Sequence, residues 1–279
     1  MITQIRLLPP ANLRNVRAIS VHRMVLDPCG PQMKYIQPAH VPFSWTRALW
    51  LRIRTLWFLK MIGTVAGIAA FFAVYFWTME ETAGRAITMP MTWIDQWIAV
   101  NEFAFVPYVS LWVYVSLAPA FALNAGALRA YAAGALAIAL LGIASFWLFP
   151  TVTPPFGVDW SQVPMLRFLK ESDASGNAFP SLHVAFAVYS AYVISSQLKS
   201  IRSPRWARTF NWFWCLAIIY STLATRQHVF VDVAGGILLA CLGRRAAWSP
   251  WGRAMWQRLA RLARSSRLAE QLDGRRLAD

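Results

Sequence analysis

Six predominantly apolar stretches, at about 57–78, 104–123, 128–149, 183–198, 209–225 and 227–243, restrict what this chain can fold into more than any other feature. A helix rising ~1.5 Å per residue needs roughly 17–25 apolar residues to cross a bilayer's hydrocarbon, and each stretch approaches that length. The fourth and sixth are short by this measure, so their ends are expected in protein or headgroups. The sequence therefore predicts an all-α fold: a polytopic membrane bundle of six transmembrane helices over 57–243. An amino-terminal region (1–56) and a basic tail (244–279) flank it. Composition agrees, since 57% of residues are hydrophobic and only 14% charged, against about 25% charged in soluble domains. Disorder is excluded by the same balance. Cys29, Cys215 and Cys241 lack metal-ligand spacing and cannot make a disulfide framework.

The formal charge of +15 would suggest nucleic acid in a soluble chain; in a membrane chain it reports sidedness, and no nucleic-acid partner is expected. Of the 27 Lys and Arg, 23 fall before residue 61, at Arg129, between 199 and 208, or after 243. The other four are Arg85, Arg167, Lys170 and Arg226. This asymmetry predicts both termini in the cytoplasm of a plasma or inner-membrane protein. The connections at about 79–103 and 150–182, and the turn after the fifth helix, then face the periplasm or exterior. The first 55 residues lack the apolar run a signal peptide needs. In the tail, Met255, Leu259 and Leu262 recur at helical spacing beside Arg253, Arg258, Arg261 and Arg264, as in an amphipathic helix lying on anionic membrane lipid.

Polar residues at the outer ends of the spans need a reason, because an ionised side chain at mid-membrane costs about 2.5–3.5 kcal/mol and normally faces a partner. Ser181 and His183 open the fourth helix; Arg226, His228 and Asp232 lie where the fifth meets the sixth. At a spacing of four, His228 and Asp232 would stack on one helical face. A carboxylate on one imidazole nitrogen raises the basicity of the other, which makes a nucleophile or base. The same pair could serve only to tie two helix ends together. Ser181 alone would be an N-cap and His183 an interfacial polar residue. Taken together, two histidines, a carboxylate, a cation and a helix amino terminus make a set for phosphoryl transfer that requires no metal and no cofactor. Asp95 and Glu102 are expected in water, and Gly235-Gly236 at a close helix contact.

These residues resemble the type 2 phosphatidic acid phosphatase superfamily of six-helix membrane enzymes, whose motifs take the forms KxxxxxxRP, PSGH and SRxxxxxHxxxD. Pro180-Ser181-Leu182-His183 matches the second, and Ser221-Thr222 followed by His228 and Asp232 the third. The wording FPSLHVAF and STLATRQHVFVDVAGG, with FPTVTPP at 149–155, is more similar to the inositol phosphorylceramide synthase-like branch, which often passes the phosphoryl headgroup to an alcohol. The resemblance implies His228 as a nucleophile forming a phosphohistidine, Asp232 as its orienting partner, His183 as the acid for the leaving group and Ser181 as a phosphate contact. It implies a lipid phosphate ester or diphosphate as substrate.

Two departures stand out: Thr222 replaces the family's Arg, and no KxxxxxxRP precedes Phe179. Arg226, with Lys170 or Arg167, is expected to supply the lost cations, Arg226 only if Gln227 lies in a turn. Two readings from other classes compete. A proton or ion relay could use His183, His228 and Asp232, although no inverted repeats are found and the polar residues cluster at one face. A non-catalytic scaffold could hold anionic lipid with its basic tails.

Overall fold

In the computed structural model, which describes residues 44–172 and 176–248, every one of the six apolar stretches is helical. The helices are α1 (Trp45–Arg54), α2 (Trp57–Thr82), α3 (Trp93–Trp97), α4 (Phe105–Val109), α5 (Leu111–Ala120), α6 (Ala125–Leu148), α7 (Pro164–Ser172), α8 (Leu182–Ser200), α9 (Arg205–Ala224) and α10 (Phe230–Trp248). Two short strands, β1 (Ile87–Thr88) and β2 (Thr151–Val152), pair in parallel and join the connection after α2 to the one after α6. The compact unit holding these elements begins at Trp45. The tail segment carrying Met255, Leu259 and Leu262 lies outside the described residues.

Three helical segments are long and apolar enough to cross a membrane: Trp57–Arg85, Glu102–Ala120 and Ala125–Leu148. In the first, only 6% of the most apolar window is buried, so its Trp, Phe, Met and Val side chains form an outward apolar surface compatible with lipid. By length and composition, three segments among the described residues therefore meet the expectation of membrane spans. Helix α8 carries His183, Gln197 and Lys199, and its buried Ala185, Ala187, Ser190 and Ala191 let neighbouring helices approach closely.

Helix α8 sits at the centre, against α5, α6, α9 and α10. Close approach is made by glycines. A Cβ on Gly236 would meet the Ser181 carbonyl oxygen at 2.5 Å, and one on Gly235 the Phe179 ring at 2.5 Å. The expected helix contact at this pair is therefore present, drawing the start of α8 onto α10.

The stretch expected as one helix over 104–123 is interrupted at Ser110, whose hydroxyl donates to the Pro107 carbonyl at 2.7 Å, competing with the backbone ladder. Pro119, lacking an N–H, leaves the Val115 carbonyl without its helical donor, and the Tyr131 hydroxyl donates to it at 3.2 Å. Lys60 is buried at the start of α2. Its ammonium donates to the carbonyls of Arg52 (2.7 Å), Ala120 (3.0 Å) and Ala122 (2.8 Å), capping the carboxyl ends of α1 and α5 with a positive charge.

Candidate active site

The site begins with how α9 ends. Gln227 N–H donates to the Thr222 carbonyl and Arg226 N–H to that of Leu223, each at 3.1 Å, which is a Schellman closure. Arg226 occupies the left-handed position that usually holds glycine, with φ of 59°. His228 and Val229 then lie outside any helix or strand, and α10 starts at Phe230. His228 therefore lies before the helix, and the expectation that it stacks with Asp232 on one helical face is corrected.

The two residues meet by another route. Asp232 is the third residue of α10, and its Oδ2 reaches back to accept the Val229 N–H at 3.0 Å, as the acid of a capping box does. The same Oδ2 lies 3.4 Å from His228 Nδ1. That separation is within ion-pair reach but longer than a well-formed hydrogen bond, and Nδ1 and the other carboxylate oxygen are buried without a partner. Asp232 is 0% exposed. Its carboxylate turns one imidazole nitrogen inward and leaves Nε2 as the nitrogen available for chemistry.

Across from this loop, the Ser181 Oγ accepts from the Val184 N–H at 3.3 Å and so caps α8, while its own N–H donates to the Asp232 carbonyl at 3.0 Å. Ser181 is fully buried. His183, one residue into α8, stacks on the Tyr108 ring at 4.1 Å and places Nε2 3.0 Å from the Tyr108 carbonyl. Because a carbonyl can only accept, Nε2 carries the proton, and Nδ1 is the nitrogen that can gain or lose one.

His183 and His228 line one cavity of about 220 Å³, walled otherwise by rings and aliphatic groups from α2, α4, α5, α7 and α8 and by Asn177. Sequence reasoning did not anticipate Asn177. It is buried with φ of 52°, its amide donates to the Tyr75 carbonyl at 3.1 Å, and its Oδ1 is unpaired. Gln227, next to His228, is also buried, and neither atom of its amide has a partner.

The predicted cations divide. Gln227 does lie in a turn, yet Arg226 turns its guanidinium to the connection between α2 and α4. Its Nη1 donates to the Asp95 carbonyl at 2.7 Å and its Nη2 to that of Ile98 at 2.6 Å, with Phe156 beneath at 4.9 Å. Only Nε is buried without a partner. Burial draws the guanidinium pKa down, and the Asp95 carboxylate opposes this. Lys170 on α7 reaches the loop instead, with Nζ 3.1 Å from Thr153 Oγ1 and 3.5 Å from the Arg226 carbonyl. Arg167 is exposed on the same helix.

Asp95 corrects the expectation that it sits in water, for it is 1% exposed. Its Oδ2 accepts from the N–H and hydroxyl of Thr92, both at 2.7 Å, and its Oδ1 from the Phe230 N–H at 2.8 Å. One carboxylate thus caps α3 and the first turn of α10. Thr92-x-x-Asp95 is a capping-box pattern, the local signal that could have found it. Glu102 remains nearer the surface and accepts from the Met165 N–H at 3.3 Å. Among the described residues, no group of three or more His, Cys, Asp or Glu side chains is arranged to hold a metal ion.

No curated protein and no solved structure matches the chain. The family profile of the PAP2 superfamily matches residues 74–246, a segment containing both histidines, Asp232 and all the loops that hold them. The chain belongs to the PAP2 superfamily, whose members are phosphatases or phosphotransferases.

Proposed function

We propose that the protein is an integral membrane enzyme that removes or transfers the phosphoryl group of a lipid phosphate ester or diphosphate through a phosphohistidine on His228. The observation that carries this reading is that His183 and His228 line the same cavity while the buried Asp232 backs His228 Nδ1 at 3.4 Å. In the first step His228 Nε2 attacks phosphorus, and the bond from phosphorus to the leaving oxygen breaks. That oxygen takes the proton from His183 Nδ1. In the second step His183, now neutral, removes a proton from the incoming water or alcohol, whose oxygen displaces His228 from phosphorus.

Charge on the phosphoryl oxygens would be met by Lys170 and Arg167 and by the amino terminus of α8. Ser181 contributes by capping α8 and holding its start on Asp232, and Arg226 by fixing the His228 loop, with Nε as its open donor. The bundle crosses the membrane six times in this reading. Helices α8, α9 and α10 have 19, 20 and 19 residues, or about 28–30 Å at ~1.5 Å per residue. The concentration of Lys and Arg in the termini and the 199–208 connection supports cytoplasmic ends and a site at the outer leaflet of a plasma or inner membrane.

A second reading, headgroup transfer of the inositol phosphorylceramide synthase type, is favoured by the cavity wall. Apart from Asn177, His183 and His228 it offers few polar groups, which suits a lipid alcohol better than bulk water as the acceptor. Purified protein with EDTA present, assayed on phosphatidic acid, prenyl diphosphate, and phosphatidylinositol with ceramide, separates the readings. Free phosphate marks a phosphatase and a new phospholipid a transferase. Activity surviving in His228→Ala would remove His228 as nucleophile and reinstate the ion-relay reading.

A further inference from the structure

A second cavity, of about 430 Å³, lies at the other end of the bundle from the histidines. Its wall includes Gln197, 14 residues beyond His183 on α8 and so about 21 Å along the helix axis. Arg52 from α1 and Arg244 from α10 line it together with Tyr131, Tyr189 and Tyr192, and no acidic residue among the described ones does. Two guanidinium groups therefore share a cavity without a countercharge.

Their donors are unequally used. Arg52 is buried and donates to the Gln197 carbonyl at 3.2 Å and the Ser200 hydroxyl at 3.0 Å. Arg244 lies over the Tyr192 ring at 4.8 Å and makes no hydrogen bond within the described residues. A cation–π contact of this kind uses none of the guanidinium N–H donors, which remain available to an anion. Gln197 adds the complementary group. Its Nε2 donates to the Ala118 carbonyl at 3.0 Å, while its Oε1 is buried with no donor. An unpaired buried acceptor beside unneutralised guanidinium groups calls for a ligand with a hydroxyl next to a negative charge.

We propose that this cavity is a binding site for a phosphate group carrying a neighbouring hydroxyl, distinct from the histidine site and at the opposite face of the bundle. Arg244 and Arg52 hold the phosphate oxygens, and Gln197 Oε1 accepts the hydroxyl. An inner-leaflet phospholipid with a glycerol headgroup has this chemistry, and so does a soluble phosphate of a small polyol.

The test uses the full chain purified in a neutral detergent, with binding followed by native mass spectrometry and by fluorescence of the aromatic residues. Phosphatidylglycerol, phosphatidylcholine, glycerol phosphate and inorganic phosphate are titrated into wild type, Arg244→Gln and Arg245→Gln. Arg245 follows Arg244 on α10 and is exposed but does not line the cavity, so its variant loses the same charge outside the site. The proposal predicts that wild type prefers phosphatidylglycerol to phosphatidylcholine, and that Arg244→Gln weakens that binding about tenfold or more. Arg245→Gln should leave it within about twofold. If only the soluble phosphates show the Arg244 dependence, the site stands and its ligand is soluble. Equal losses in the two variants, or none in Arg244→Gln, would overturn the proposal in favour of general attraction to a basic surface.

Discussion

Arg226 donates from Nη1 to the backbone carbonyl of Asp95 at 2.7 Å, while the Asp95 carboxylate accepts the Phe230 N–H four residues beyond Arg226 at 2.8 Å. The loop bearing His228 is thereby held at both ends by one residue of the connection between α2 and α4. In the proposed account Arg226 acts as a positioning residue. Arg226→Gln should lower kcat about 100-fold or more, since each hydrogen bond to a charged group contributes about 1.5–3 kcal/mol. KM for the phosphate substrate should change little, and Arg226→Lys should restore part of the rate. A rise in KM with kcat preserved would show instead that the guanidinium binds phosphate through Nε.

Lys170 takes the opposite signature. Its ammonium stands 3.5 Å from the Arg226 carbonyl, and the proposed contact with substrate phosphate predicts that Lys170→Met raises KM about tenfold or more while kcat changes less. Thermal stability should fall only modestly, because Lys170 is half-buried and its hydrogen bonds to Thr153 Oγ1 and the Arg226 carbonyl are long, at 3.1 and 3.5 Å. Steady-state kinetics on the best substrate, with unfolding followed in parallel, checks both halves.

Gly236→Ala should be severe and Gly67→Ala mild. A Cβ at 236 would meet the Ser181 carbonyl at 2.5 Å, a backbone atom that can move only with α8, whereas one at 67 meets nothing within 4 Å. Overpacking of this kind typically costs about 1–3 kcal/mol. It should also separate the Ser181 cap from Asp232 and reduce turnover beyond the loss of folded protein. Activity per folded molecule, from a ligand-independent unfolding assay, distinguishes the two effects.

Lys60→Met should destabilise the protein without entering its chemistry. Three carbonyls lose a charged donor, a cost of at least about 3 kcal/mol, read as a lowered midpoint of thermal unfolding. Near-normal kcat is expected for molecules that remain folded, because Lys60 lies at the end of the bundle remote from the histidines. Unchanged stability would mean that water replaces the ammonium.

The sequence revealed the helices more fully than the site. Apolar length located all six long stretches because it is a local property, and Pro180-Ser181-Leu182-His183 marked the start of α8 because capping is local as well. The end of α9 was less legible, since Arg226 stands where a glycine would have announced the left-handed turn. His228 was consequently placed on a helix rather than before one. Asp95 was misjudged because its partner Phe230 is 135 residues away: a buried carboxylate stabilised by distant backbone groups looks, in sequence, like one in water. The commitments of Arg226 to the carbonyls of Asp95 and Ile98 were hidden for the same reason. Asn177 gave only a turn signal beside Gly176, with nothing to show that the turn enters a cavity.

The most direct test of the account is to quench turnover rapidly, digest under alkaline conditions that preserve phosphohistidine, and find the modified residue by mass spectrometry. With an activated aryl phosphate, whose leaving group needs no acid, wild type and His183→Ala should both carry phosphate on His228. His228→Ala should carry none and be inactive. Turnover by wild type with no phosphorylated His228, or phosphate on another residue, would contradict the assignment of the nucleophile.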